Sequence, residues 1–313
     1  MTGVMTTATG GGFAMAESVS VADVSRGATG LLHLSNEAYH GGPGISKSHL
    51  DVAAKSPAHY WAAYLDPNRE PRQATPAMVL GTAIHAAILE PDLFAKQFVI
   101  APDISRRSNA GKAEYDDWIK GNTGREVLTP EQWQVACGAR DAVRGHHHAS
   151  ELLKRGQAEL SFLGRDGVHD ELVKCRTDWL SWDDGLIVDV KSTEDASPAA
   201  FIRSVLTYRY HVQQAWYLDV IEQALGDVPL LRWVFLAVEK SPPYAVGLYT
   251  LPPAMVAAGR IQARADLARI VHNKLLGTWW DYGSAGTTEL EVPPWMQRQL
   301  GMNTPEVAFE GTA

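Results

Sequence analysis

The sequence predicts a mixed α/β (α+β) fold, in which strands and helices follow one another along one chain. Residues 172–182 and 186–190 are rich in β-forming residues and are joined by an Asp-Asp-Gly turn, a pattern typical of a β-hairpin. Residues 230–239 form a further apolar run that predicts a buried strand. Helix-forming segments stand on either side of these strands, the clearest at residues 76–90 and 252–276.

The hairpin brings three charged residues together: Asp178 on its first strand, and Asp189 and Lys191 on its second. If residues 183–184 form the two-residue loop, Asp178 lies opposite Asp189. If residues 184–185 form it, Asp178 lies opposite Lys191. Both registers place all three side chains on one face of the hairpin, because strand side chains alternate with a period of two.

A divalent metal would suit this arrangement. Opposed carboxylates about 5 Å apart repel each other unless a cation lies between them or one is protonated. Magnesium prefers carboxylate oxygens and keeps waters and substrate phosphate oxygens, and Lys191 would place its ammonium beside the attacking water or the scissile phosphate. An Asp-x-Lys pair on a solvent-facing strand often has no such role. Here the strand is apolar, and buried charge is costly unless it is paired or bound to metal.

Two further pairs and one acid belong with this hairpin. Gly81 and His85 are four residues apart on one predicted helix, and Gln213 and Tyr217 are four apart on another, so each pair shares a helix face. Each pair also has a purely structural interpretation. His85 could be a hydrogen-bonded core histidine, and Gln213 and Tyr217 could serve in packing alone. Glu159 lies on a predicted strand just before the hairpin.

Composition sets the broad class of protein. The 313 residues, 45% of them hydrophobic, predict one large core at residues 36–296, with flexible segments at 1–35 and 297–313. Two cysteines provide no disulfide framework, which favours a cytoplasmic protein. No apolar run approaches the ~20 residues that span a bilayer, and the first residues lack the pattern of a signal peptide.

The net charge of −8 argues against DNA binding, because affinity for phosphate comes from lysine and arginine. Net charge is not local charge, however, and Arg106, Arg107 and Lys112 cluster where a loop leads into a predicted helix. This segment is interpreted either as a DNA-binding surface or as an ordinary solvated one.

The order of the motifs resembles that of the RecB-type PD-(D/E)xK nucleases. The longer segments narrow the resemblance to the RecE-like (exonuclease VIII) nucleases of phages and prophages, over roughly residues 39–295. These segments are GISKSHLDVAAKSPAHYW at 44–61, GTAIHAAILEP at 81–91, KCRTDWL at 174–180, VDVKST at 188–193 and YRYHVQQAWY at 208–217.

The resemblance implies a PD-(D/E)xK core, a central mixed β-sheet flanked by helices. It also implies an exonuclease that depends on magnesium, with manganese as a substitute, and that degrades linear duplex DNA 5′ to 3′ for recombination. It implies a homo-oligomeric ring, a trimer or tetramer, and a single-strand annealing protein as partner. Cys137 and Cys175 cannot supply the four thiolates of the iron–sulfur cluster found in some RecB-type branches, so no such cluster is expected.

The resemblance also implies a role for each site residue. Asp178 and Asp189 would bind the metal, with His85 at the same site as a ligand or orienter, and Glu159 is a fourth candidate ligand. Lys191 would orient or activate the water, whereas Gln213 and Tyr217 would contact the DNA backbone or brace the site. Two alternatives stay open: a module on the same fold that binds DNA ends or a recombination protein with little catalysis, and an endonuclease of the same superfamily.

Overall fold

A mixed β-sheet forms the centre of the protein. The computed structural model describes residues 29–70, 73–226, 228, 231–282 and 286–302. In chain order, the strands in these ranges are β1 (Gly30–Leu32), β2 (Phe98–Ile100), β3 (Glu126–Leu128), β4 (Gln157–Arg165), β5 (Leu172–Ser181), β6 (Leu186–Thr193), β7 (Arg232–Glu239) and β8 (Val246–Tyr249).

The central sheet has the strand order β1-β4-β5-β6-β7-β8, and β2 and β3 pair separately in parallel. Neighbouring strands of the central sheet are antiparallel except β6 and β7, which are parallel. The predicted hairpin is β5 and β6, and the predicted apolar strand at 230–239 is β7. The prediction of a central mixed sheet flanked by helices is therefore confirmed.

The helices begin where the sequence supplies caps. Thr129 and Gln132 form a reciprocal capping box, and Thr75 and Ser197 each accept a backbone N–H bond in front of a proline. The described helices are α1 (Asn36–Gly41), α2 (Lys47–Lys55), α3 (Pro57–Tyr60), α4 (Pro76–Leu89), α5 (Pro91–Gln97), α6 (Asn109–Gly121), α7 (Pro130–Gly145), α8 (His147–Leu152), α9 (Pro198–Thr207), α10 (Tyr210–Leu225), α11 (Pro253–Leu276) and α12 (Pro294–Gln299), and a π-helical turn covers Trp61–Leu65.

Helices cover both faces of the sheet. On one face, α4 and α7 pack against Val188 and Val190 of β6. On the other face, α2, α10 and α11 pack against Ile187 of β6 and Cys175 of β5. Because side chains alternate along a strand, Asp189 and Lys191 lie on the same side of β6 as Ile187, which is the side of α10.

The ends of the chain fall partly outside the described residues. Residues 1–28 and 303–313, which lie in the predicted flexible segments, are not among them. Strand β1 lies within the segment 1–35, where composition predicts no strand; it pairs with β4, and Leu32 is buried with Leu163 and Tyr39. Among the described residues, no helix is both long and apolar enough to cross a membrane.

Candidate metal centre

The candidate site lies where β5 separates from β6. The turn is closed by a hydrogen bond from the Gly185 N–H to the Trp182 carbonyl, so residues 183–184 form the loop, as in the first of the two predicted registers. The paired residues end at Trp179↔Val188. Extending this register would place Asp178 opposite Asp189, but the two strands are no longer paired there.

Asp178 fills the gap between the strands. Its Oδ2 accepts the backbone N–H of Val190 at 2.8 Å, which replaces a bond of the strand ladder. The same oxygen lies 3.6 Å from Nδ1 of His85, which reaches it from α4. The expectation that Asp178, Asp189 and Lys191 share one face is therefore wrong in detail. The Asp178 carboxylate points between the strands toward α4, whereas Asp189 and Lys191 lie on the side of α10.

Glu159 completes a group of three potential metal ligands. Ligand atoms of His85, Glu159 and Asp178 all lie within 4.8 Å of one another. Glu159 sits in β4 with a φ of 55°, in the left-handed region that an extended strand does not use, and it is missing from the β4–β5 pairing. Backbone strain of this kind is concentrated at functional sites. A carboxylate pair with one imidazole suits a divalent cation.

Asp189 lies beside this group rather than within it. Its side chain is 1% exposed and contacts the Lys191 ammonium through Oδ2, while Gln213 Nε2 donates to Oδ1 at 2.6 Å. Among the described residues, no donor makes a well-oriented hydrogen bond to Oδ2. Three of the four predicted ligands therefore form one donor group that suits a divalent ion, and the buried Asp189 carboxylate lies beside it, in contact with Lys191.

Burial makes the ionised form of two carboxyl groups at this site unfavourable. Burial raises the pKa of Glu159 to about 7, with Asp178 and Glu90 adding to the rise and Arg176 opposing it. Burial also raises the pKa of Asp189 to about 7, against the pull of Lys191. A bound cation would favour the ionised carboxylates and relieve this penalty.

The two basic groups have opposite protonation. Burial lowers the pKa of His85, which keeps its imidazole neutral at pH 7 and able to bind metal. Burial acts to lower the pKa of Lys191 as well, but the attraction of Asp189 and Asp178 outweighs it and raises that pKa overall. Lys191 is therefore an ammonium, suited to stabilising negative charge and not to accepting a proton.

The remaining predicted residues have varied positions. Tyr217 packs edge-on against Trp233, and burial, with Tyr39, Cys175 and the two site aspartates, raises its pKa. Gln213, on the same helix α10, contacts the site through Asp189. The expected role of Tyr217 in contacting DNA or bracing the site stays a prediction. The predicted DNA-binding residues lie on the loop before α6 and on its first turn and are exposed: Arg106, which stacks over Tyr115 at 4.6 Å, Arg107 and Lys112.

Three charged residues near the site were missed at the sequence level. Arg176 pairs with Glu159 at 2.7 Å. Burial raises the pKa of Glu90, and the charge of Arg176 opposes that rise. Lys47, on α2, donates to the Tyr208 carbonyl at 2.6 Å and lies near enough for its charge to act on Asp189. Glu90 lies within the segment 81–91 and Arg176 within the segment 174–180, both noted above. Arg176 and Asp178 are two residues apart on β5, so the alternation of strand side chains relates their positions.

Comparisons with known proteins agree with this geometry. The family model described as "PDDEXK-like domain of unknown function (DUF3799)" matches residues 46–287. A solved structure from Eubacterium rectale, described as "Putative exonuclease", is 13% identical, with a TM-score of 0.57 over 86% of this chain and 98% of that one. At this identity it shows a shared fold alone.

A second solved structure, SSO0001, is 12% identical and covers 63% of this chain and 87% of its own, with a TM-score of 0.27, which is too low to support an argument. No curated protein matches the chain significantly.

Proposed function

We propose, on the premise that the chain belongs to the PDDEXK-like family DUF3799, that it is a metal-dependent exodeoxyribonuclease that degrades linear double-stranded DNA from its ends. One observation carries the proposal: His85, Glu159 and Asp178 converge within 4.8 Å beside the buried Asp189–Lys191 pair. A module that only binds DNA has no need to bury carboxylates and a lysine in this way.

The donor set would hold a divalent cation, Mg²⁺ or Mn²⁺. His85, Glu159 and Asp178 would bind it, and Asp189, whose Oδ2 contacts the Lys191 ammonium, lies beside them on the neighbouring strand. When bound, such an ion lowers the pKa of a water molecule and neutralises charge that develops on phosphorus.

The protein's own groups supply the rest of the mechanism. Lys191 keeps its proton and offers a fixed positive charge to the phosphate oxygens, where negative charge grows during hydrolysis. Asp189 holds that ammonium in place, and Gln213 fixes Asp189 through its other oxygen. Groups held in place before the reaction contribute more than mobile ones, because little reorganisation is needed.

The direction of digestion, the partner protein and the oligomeric state are further parts of the proposal. By resemblance, digestion runs 5′ to 3′ and leaves a single strand for an annealing protein during recombination, and the enzyme forms a ring of three or four copies. Light scattering in solution and digestion of duplexes labelled at either the 5′ or the 3′ end test these points.

The decisive experiment follows cleavage of end-labelled linear duplex beside a covalently closed circle, in Mg²⁺ and in EDTA. Wild type is expected to degrade only the linear DNA and only with metal. Lys191→Gln is expected to lose that activity, whereas Lys154→Gln, which removes an exposed lysine paired with Glu151, is the matched control and is expected to keep it.

Circular dichroism of each variant shows that folding is intact. Cleavage of the closed circle would identify an endonuclease instead. Folded wild-type protein that cleaves neither DNA in any metal, yet binds DNA ends, would overturn the proposal in favour of a binding module.

A further inference from the structure

A groove opens directly beside Lys191. It has a volume of 560 Å³ and lies between the end of β6, helix α9 and the joint between α9 and α10. Lys191, Arg203, Tyr208 and Lys240 are among the residues that line it. Volumes of this order hold ligands of the size of one or two nucleotides.

We propose that this groove binds the unpaired end nucleotides of one DNA strand next to the scissile phosphate, with Tyr208 stacking on a base and Arg203 contacting the backbone. The inference rests on the proposed nuclease function and deepens it. Tyr208 and Arg203 both lie outside the carboxylate centre, and the ligand that they would bind is single-stranded DNA.

The aromatic side of the groove continues from the catalytic lysine. The Lys191 ammonium lies 4.8 Å from the centre of the Tyr210 ring, and Tyr210 stacks with Tyr208 at 5.7 Å and 25°. Tyr208 is 58% exposed, so its outer surface is available to another ring. Every base has a π-face, and stacking on such aromatic side chains is how proteins hold single strands without reading sequence.

The turn that presents Tyr208 is held firmly. Arg209, the next residue, has a φ of 56°, and its guanidinium pairs with Asp51 on α2 and Asp266 on α11. Lys47 also donates to the Tyr208 carbonyl. An exposed tyrosine on a turn fixed from two helices is oriented in advance, which lowers the entropy lost when a base stacks on it.

The charged side of the groove suits a phosphate backbone. Arg203 is exposed and forms no ion pair within the part of the chain that is described. Lys240 contacts Glu194, whose side chain is 80% exposed, and an exposed pair of this kind is weak enough to exchange for phosphate. The Asp195 carboxylate is already engaged by the Ser197 N–H at the start of α9. Arginine and hydroxyl groups are common contacts to the DNA backbone.

The test uses single-stranded oligonucleotides with 2-aminopurine at the first, second or third position from either end. The full-length protein is studied in Ca²⁺, with gels to verify that the DNA stays intact. Stacking on Tyr208 is expected to quench the fluorescence at one of these positions. Tyr208→Ala is expected to abolish the quenching and weaken binding by about 5- to 150-fold, whereas Tyr208→Phe keeps the ring and is expected to quench as wild type does.

Arg203→Ala tests the backbone contact. Loss of one phosphate contact on a single strand is expected to reduce the slope of log affinity against log salt by about 0.7. Arg232→Ala is the matched control, because Arg232 is also exposed but pairs with Leu186, at the opposite end of the β6–β7 pair from Lys191. Its slope and affinity are expected to match those of wild type.

Parallel cleavage assays on linear duplex separate the two levels of the proposal. If wild type cleaves but shows no position-dependent quenching, or if Tyr208→Ala binds as wild type does, the groove inference is overturned and the nuclease stands. If wild type neither cleaves linear duplex nor binds single strands, the proposed function itself fails.

Discussion

Glu159 makes the stability of the metal-free protein depend on pH. Burial raises the pKa of this carboxyl from 4.5 to about 7. Ionising it in the folded chain therefore costs up to about 3 kcal/mol, at about 1.4 kcal/mol for each pH unit. Below pH 4.5 it is protonated in both the folded and the unfolded chain. Above about pH 7 it is ionised in both, so the free energy of unfolding falls as the pH rises through this range.

The change that tests this is Glu159→Gln, which removes the titrating group and keeps a similar shape. The free energy of unfolding is measured by urea denaturation in EDTA, at about pH 5 and about pH 8. Between these values wild type is expected to lose up to about 3 kcal/mol more than the variant. The comparison cancels the other titrating groups, and the same pH dependence in both proteins would refute the reasoning.

Metal is expected to reverse the effect. At about pH 8, Mg²⁺ at roughly 100 times its Kd would stabilise wild type by about 2.7 kcal/mol, which offsets most of the ionisation cost. Glu159→Gln has lost one of three clustered ligands and is expected to gain clearly less. An equal gain in both proteins would show that Glu159 does not bind the metal.

Three further outcomes follow from the contacts of the site. Asp178→Ala leaves the Val190 N–H without its acceptor and is expected to cost about 1–3 kcal/mol in urea denaturation, whereas Asp178→Asn keeps an acceptor and is expected to stay folded; both should lose cleavage and the thermal shift with Mg²⁺. Gln213→Ala removes the donor to Asp189 Oδ1 and should lower kcat with a similar loss of stability, so an unchanged kcat would contradict its bracing role. Arg106→Ala, if this residue contacts duplex DNA, should lower the salt slope of binding by about 0.9 and leave the Tm unchanged.

Local sequence patterns were enough to predict the hairpin and the helix that carries His85. The Asp-Asp-Gly turn limits β5 and β6 to two registers, and the structure has one of them. The capping box at Thr129 and the proline after Ser197 mark helix starts, because caps depend on residues close in sequence.

Features that depend on distant parts of the chain could not be predicted. The left-handed backbone of Glu159 has no local marker in a strand sequence, yet it coincides with the gap in pairing that places this carboxylate near His85. Lys47 meets the Tyr208 carbonyl across 161 residues, and only the packing of α2 against α10 and α11 brings it there. Strand β1 forms because β4 offers it an edge, not because its own three residues favour it.

The hydrogen bond from Val190 to Asp178 gives the site an internal spectroscopic reporter. An amide proton that faces a carboxylate resonates at a frequency set by the charge on that carboxylate. The chemical shift of the Val190 amide in an ¹⁵N-labelled sample would therefore change when a cation or a proton binds Asp178. This measurement needs no DNA. Because Val190 itself is buried and is not a ligand, its resonance observes the centre without altering it.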